Sequence, residues 1–352
     1  MSKTEPPDSV RKILVHRRRS KSALNNNGGT SIDSSSQASK QPTVIGDNPI
    51  RCPEDDTLGR ADVAQSFARQ VLSLDASEGI VVGVLGPWGA GKTSFINLAR
   101  SHFSESGAPI LDFNPWMFSG TEQLVEAFFS EIMAQLQVKQ GFDELVKEIE
   151  AYAGVLSWLK VLPVVGPWVE SGAATTKLLG RVLRRHKDGM TRRRLAVANA
   201  LAKLGHPIIV VLDDLDRLSS SEIRDIFRLV RLTASFPNII YIVAFDRGRV
   251  EDALAEQGVP GRAYLEKILQ VAVDLPIVSR PILRRQALTA IDKALVGIDN
   301  LGPFDSESWP DLFMEIVQPP MRNMRDVRRY AMAVLQRRPL WTVMSMGPRP
   351  SC

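Results

Sequence analysis

The sequence predicts an α/β fold: a parallel sheet between two layers of helices, interrupted by a helical insertion and closed by a helical C-terminal part. Three observations predict it. The apolar run Ile80 to Leu85 passes through the loop G-P-W-G-A-G-K-T into a segment with Phe95, Ile96 and Leu98 at helical spacing. A second apolar run, Ile208 to Leu212, ends in adjacent carboxylates, Asp213 and Asp214. Other short, continuous apolar runs alternate with stretches of helical period, as strands buried on both faces do.

Bulk properties bound the reading. The 352 residues suffice for one large domain or two ordinary ones, and 44% hydrophobic with 24% charged is the make-up of a soluble globular chain. The two cysteines, Cys52 and Cys352, lie near opposite ends. They suggest neither a metal site nor a disulfide framework, and point to a reducing compartment. The net charge of +5 is mild and its excess clustered. The longest N-terminal apolar run is Ile13-Leu14-Val15, so no secretory signal is read. Residues 1–48 read as a disordered leader, because Ser20 to Thr43 is rich in Ser, Asn, Gln and Gly. The triplet Arg17, Arg18, Arg19 is either an anchor for acidic lipid or nucleic acid, or a solvated basic tail.

Order is expected from about residue 49, in a core reaching residue 279. A helix begins near Asp62 with Val63, Phe67 and Val71 on one face. Leu58, Gly59 and Arg60 before it are candidates for a base pocket, or simply a capped helix start.

The loop after the first strand is G-x-x-x-x-G-K-[ST] in strand–loop–helix context, the requirement for a phosphate-binding loop. Gly86, Gly89 and Gly91 let the backbone curl with its N–H groups inward. Lys92 can reach β- and γ-phosphates, Thr93 can bind Mg²⁺, and the following helix adds its positive dipole end. The candidate nucleotide contacts are therefore Gly86, Pro87, Trp88, Gly89, Ala90, Gly91, Lys92, Thr93 and Ser94.

Pro109 to Phe113 reads as the second strand, delivering Asn114 and Trp116 to the carboxyl edge where ligands of open sheets bind. The alternative is a core Trp116 and an Asn114 that caps a turn. A helix follows from Thr121 to Gln137. Residues 138–195 are an insertion. Its run 155–169 is broken by Lys160, Pro163, Gly166 and Pro167, and at about fifteen residues falls short of the roughly twenty that span a bilayer. With the arginines at 181–194 it suits a membrane surface or a partner's groove, or else folds back as a hairpin.

The strand Ile208–Leu212 places Asp213 to hold Mg²⁺ and Asp214 to orient or deprotonate water. Asp216 and Arg217 extend the pair, and Arg217 either braces it or points to a neighbouring subunit. A helix over 221–234, a strand from Asn238 to Phe245 and a helix or turn running into a last strand over 264–276 complete the core. Asp246 stands where a γ-phosphate sensor would. Helices near 280–295, 310–317 and 322–338 make a lid over residues 280–340, with 341–352 as a tail. Arg325, Arg328 and Arg329 are lid arginines or a solvated basic face.

The segments GPWGAGKTSF, FNPWMF, VVLDDLDRL, YIVAFDR, YLEKILQ and NMRDVRRY, in this order, resemble the KAP-type P-loop NTPases across about residues 50–338. The resemblance implies an ATPase with the additional-strand P-loop core and a helical C-terminal part. It also implies phosphate and Mg²⁺ binding by Lys92 and Thr93, Walker B acids at Asp213 and Asp214, and a functional arginine at Arg325. Family members often carry membrane segments between the Walker motifs, and some bacterial ones belong to mobile elements or act in phage exclusion. Two features depart from the pattern. The insertion is too short and broken for the usual transmembrane pair, and the chain stops soon after the lid, which would make any effector a separate protein. FNPW also replaces the commoner FNAW.

The fold expected is thus a three-layer αβα P-loop NTPase with strand order 5-1-4-3-2 and the nucleotide beside the first and fourth strands. No N-K-x-D base-reading motif is present, which favours ATP over GTP. The leading expectation is an ATP-hydrolysing, Mg²⁺-dependent switch or assembly motor, oligomeric or partnered, in the cytoplasm or at the inner face of the membrane. A slow-turnover scaffold and a nucleic-acid-stimulated ATPase are the alternatives.

Overall fold

Five apolar runs become five parallel strands, and the three central ones are buried on both faces and need helices above and below them. The five are β1 (Ile80–Leu85), β2 (Ile110–Phe113), β3 (Ile208–Leu212), β4 (Ile239–Phe245) and β5 (Val271–Asp274). The computed structural model describes residues 47–118, 121–158, 189, 191–255, 260–296 and 305–336. The leader through residue 46, with its arginine triplet, lies outside them, as do the side chains of the apolar run 155–169, the arginines at 181–185 and the tail. No helix among the described residues is long and apolar enough to cross a membrane.

The strands pair in the order β2-β3-β4-β1-β5, the expected 5-1-4-3-2 read from the other edge. All four pairings are parallel, with Leu85 opposite Phe245, Leu212 opposite Val243 and Val82 opposite Val271. The chain therefore leaves β1, β3 and β4 at one edge, with β4 between the other two.

Alternation along the strands divides the core in two. Val82, Val84, Val211 and Ile242 face a layer made by α1 (Ala61–Leu72) and α2 (Lys92–Glu105), through Phe67, Val71, Phe95 and Ile96. Val81, Leu85, Val210, Tyr241 and Phe245 face the other layer. That layer contains α3 (Thr121–Gln137), α4 (Asp143–Trp158), α5 (191–202), α6 (Ser220–Thr233), α7 (Arg247–Leu254) and α8 (Gly261–Leu265). The result is the three-layer αβα arrangement. The exposed edge of β2 is blunted by Gln135, whose amide accepts from Asp112 N at 2.8 Å and donates to Asp112 O at 2.7 Å.

The described chain divides into two units, Pro49–Pro276 and a second one comprising residues 47–48 and 277–336. In the second, α9 (Arg280–Leu295), α10 (Trp309–Leu312) and α11 (Met324–Gln336) share a small core of Leu283, Ala287, Ile291, Phe313, Met321 and Val327. The helix expected over 310–317 is an α-turn that passes into a π-turn, Phe313–Val317, with Gln318 N donating to Phe313 O at 2.8 Å. Pro319 and Pro320 follow and cannot continue it. Asn323 caps α11 by accepting from the amides of Arg325 and Asp326. Arg325 and Arg329 both hold Asp47 at 2.9 Å, and Arg328 donates to Asn48 O at 2.8 Å. The contact thus begins inside the segment expected to lack structure.

Candidate active site

The loop after β1 is pinned at its start by Gly86 N donating to Phe245 O at 3.2 Å and turned by Ala90 N donating to Pro87 O at 3.1 Å. Gly89 and Gly91 sit at φ of +82° and +90°, where a side chain would be strained. Gly91 is also the cap of α2, and no side chain occupies the helix's first amides. Below the loop lies Arg60. Its guanidinium donates to Ala90 O at 2.6 Å and to Pro276 O at 2.8 Å. The helix start itself is capped by Asp56, which accepts from Leu58 N and Ala61 N at 3.1 and 2.7 Å. The capped helix start is thus present at Asp56, and Arg60 supports the loop.

Lys92 opens α2 and is 8% exposed. Its ammonium donates to Gly86 O at 2.9 Å, Pro87 O at 3.4 Å and Asp216 Oδ2 at 2.8 Å. The Thr93 hydroxyl, next along, lies beside the Asp213 carboxylate. Burial pushes the Asp213 carboxyl above its ordinary value, opposed by the Thr93 hydroxyl and the Asp214 amide, which donates to it at 2.8 Å. Asp214 takes a left-handed backbone, φ 59°. Its carboxylate meets Arg217 Nε at 3.2 Å, and that guanidinium lies 5.1 Å from the Trp116 ring. Arg217 thus pairs with Asp214 alone of the two acids, and Trp116 is half-exposed rather than core.

Other candidates are placed as follows. Ser94 Oγ accepts from Ile50 N at 3.3 Å. Trp88 is 52% exposed. Asn114 ends β2, and its carbonyl accepts from Met117 N at 3.1 Å. The Asp246 carboxylate caps α7 through Arg249 N at 3.3 Å. Arg325 belongs to the second unit and pairs with Asp47. The loops after β1, β3 and β4 thus bring together Lys92, Thr93, Asp213 and the backbone of Asp246.

Asp216, which the sequence presents only as an extension of the acidic pair, has the contacts that the sequence does not foretell. It is 10% exposed, holds Lys92, and accepts from Asp246 N at 2.7 Å. The signal was present in D-D-L-D, where the third acid stands one tight turn after the first.

A buried ammonium under a glycine loop, with a hydroxyl and a carboxylate beside it, is the donor set of a phosphate and magnesium site. The KAP family P-loop domain matches residues 60–341. The chain belongs to that family. Among its relatives is the Phage T7 exclusion protein of Escherichia coli (strain K12), 30% identical over 252 residues that cover 63% of this chain and 33% of that protein. The chain therefore spans about a third of that relative's length. Solved structures to which the chain is similar include Cdc6p from Pyrobaculum aerophilum, at 15% identity and TM-score 0.43, covering 85% of this chain and 66% of that one. The Aeropyrum pernix ORC1 protein, solved in complex with DNA, has 14% identity and TM-score 0.39, covering 85% and 63%. As a KAP-family P-loop NTPase, this chain has nucleotide as its implied ligand, with Mg²⁺ the typical companion.

Proposed function

We propose that this KAP-family chain binds ATP with Mg²⁺ and hydrolyses the bond between its β- and γ-phosphates, working as a nucleotide-driven switch or assembly motor. The observation that carries the proposal is the buried Lys92 ammonium, held inside the glycine loop by Gly86 O at 2.9 Å and Asp216 at 2.8 Å, with Thr93 and Asp213 beside it. A hydroxyl and a carboxylate are hard oxygen donors, so these residues fit Mg²⁺.

Thr93 and Asp213 would hold the ion, which supplies charge neutralisation on the phosphate oxygens. The loop amides, Gly89 and Gly91 among them, and the Lys92 ammonium bind and orient the phosphates. Asp214, on a different heading from Asp213, orients the attacking water and takes its proton. Arg217 keeps the Asp214 carboxylate in place at 3.2 Å. Arg325 is the proposed arginine of the lid, released from Asp47 when it acts. Asn114 and Asp246 are proposed to line the site near the terminal phosphate, Asp246 through its turn.

The switch would act in the cytoplasm or at the inner face of the membrane, with a second copy or an effector protein as partner. Likeness to a protein named for excluding phage T7 supports a role in phage restriction. Residues 155–194 are the proposed docking segment.

The test is ATP turnover with Mg²⁺ by the full chain, beside Lys92→Ala and Asp214→Asn, alone, with acidic liposomes and with DNA. Loss of turnover in both variants is expected, and the addition that stimulates names the partner class. ATP that binds without turnover in every condition would replace the motor with a nucleotide-dependent scaffold. Stimulation by DNA that fades with salt would favour a nucleic-acid partner.

A further inference from the structure

Lys92 has no donor to spare. Its ammonium has three N–H groups, and three acceptors meet it: Gly86 O at 2.9 Å, Pro87 O at 3.4 Å and Asp216 Oδ2 at 2.8 Å. Lys92 and Asp216 are both nearly out of water, at 8% and 10% exposure. The other oxygen of Asp216 accepts from Asp246 N at 2.7 Å, where β4 turns into α7. One carboxylate therefore ties together the loops that follow β1, β3 and β4. The two carbonyls are neutral and yield to an anion at small cost. A phosphate oxygen and the Asp216 carboxylate are both anionic, and in a site of low dielectric they repel when they share one ammonium. The ligand and Asp216 compete for Lys92.

Resting on the nucleotide reading above, we propose that Asp216 is a positioning residue that latches Lys92: a nucleotide phosphate takes the ammonium from Asp216, and the exchange is passed to the β4–α7 turn through the Asp246 amide. Only the fraction of protein with Lys92 released is competent to bind, so the latch lowers apparent affinity by that fraction. Asp216→Asn has a single carbonyl oxygen for two donors. The Asp246 amide keeps it, and the side-chain NH₂ turned toward Lys92 offers no acceptor. Asp216→Ser likewise removes the competing charge.

The experiment is calorimetric binding of the Mg²⁺ complex of the β,γ-imido analogue of ATP to the full chain. Wild type is compared with Asp216→Asn, Asp216→Ser, Asp216→Glu and Lys92→Ala, with folding followed by circular dichroism. Both neutral variants are expected to bind about tenfold tighter or better. Asp216→Glu, which restores the carboxylate, is expected within about threefold of wild type. Folded neutral variants that bind no tighter overturn the latch. So does failure of both to fold, because a contact that the ligand displaces cannot be indispensable to the native state. Wild type and Lys92→Ala that bind alike, or not at all, overturn the nucleotide reading itself. The latch fails alone when wild type binds through Lys92 and the neutral variants bind no better.

Discussion

Replacing Arg60 with alanine tests whether the phosphate loop is held from below. The guanidinium bridges two carbonyls, Ala90 O at 2.6 Å inside the loop and Pro276 O at 2.8 Å just beyond β5. Burial pulls its pKa down, opposed by nearby Asp56, so the charge is partly desolvated and its hydrogen bonds are strong. The fit is close, since a Cβ placed on Gly91 would lie 3.1 Å from the Arg60 guanidinium. The bond to Ala90 is the part-buried one, and losing a hydrogen bond to a charged group costs about 1.5–3 kcal/mol. The bond to Pro276 is exposed and adds about 0.5 kcal/mol. Arg60→Ala should therefore destabilise the chain by about 2–3.5 kcal/mol. For a unit of this size that is about 5–10 °C in Tm. Arg60→Lys keeps the charge but has no planar fork to reach both carbonyls, and should recover about half of the loss. Urea and thermal melts of the three proteins give the answer. An alanine variant within about 0.5 kcal/mol of wild type would refute the reasoning, because that is the range of an ordinary surface substitution.

Three more predictions follow from single contacts. Asp213 has a native pKa raised by burial above its ordinary 3.8. The native state then holds more protons than the unfolded one, and stability falls as pH rises through 3.8 and on to the raised value. Asp213→Asn should flatten the stability–pH curve in that window, and an unchanged slope would contradict the burial argument. At Gly261, a Cβ would stand 1.8 Å from the carbonyl oxygen of Glu251, so Gly261→Ala should cost more than about 3 kcal/mol in a thermal melt. Asp47→Asn removes two ion pairs that are partly open to water and should cost less than about 1 kcal/mol, a difference that high salt erases.

Much of the fold is legible in the chain because its signals are local or covalently spaced. Ile208–Leu212 and Ile239–Phe245 are buried on both faces, and a strand so placed is written as an unbroken apolar run. The glycine loop and Lys92 are fixed by spacing within eight residues. β5 is fainter, a half-buried Val271–Asp274 at the sheet edge, only four residues long and ending in an acid. Contacts across the fold leave no trace of that kind. Arg60 meets Ala90 and Pro276 from far along the chain, and nothing in the stretch L-G-R says which carbonyls its guanidinium will find. Arg325 reads as a lid arginine or a solvated basic face, and nothing in its own stretch foretells Asp47 beside it.

The sharpest case is the D-D-L-D segment, where three identical side chains take three different surroundings. Asp213 ends β3 and meets Thr93. Asp214 adopts a left-handed backbone that sends its carboxylate toward Arg217. Asp216 falls within the single 3-10 turn Leu215–Arg217 and is carried inward to Lys92 and the Asp246 amide. The residue that sets these headings is apolar. Leu215 is fully buried in the same core layer as Val210 and Tyr241, and it pins the turn between the second and third acids. A slip of one position there would put a carboxylate in the core and a leucine beside Lys92, at a cost of several kcal/mol for the uncompensated charge alone. The chemistry of the site is therefore divided by packing: one leucine decides which aspartate faces Thr93, which faces Arg217 and which holds the lysine.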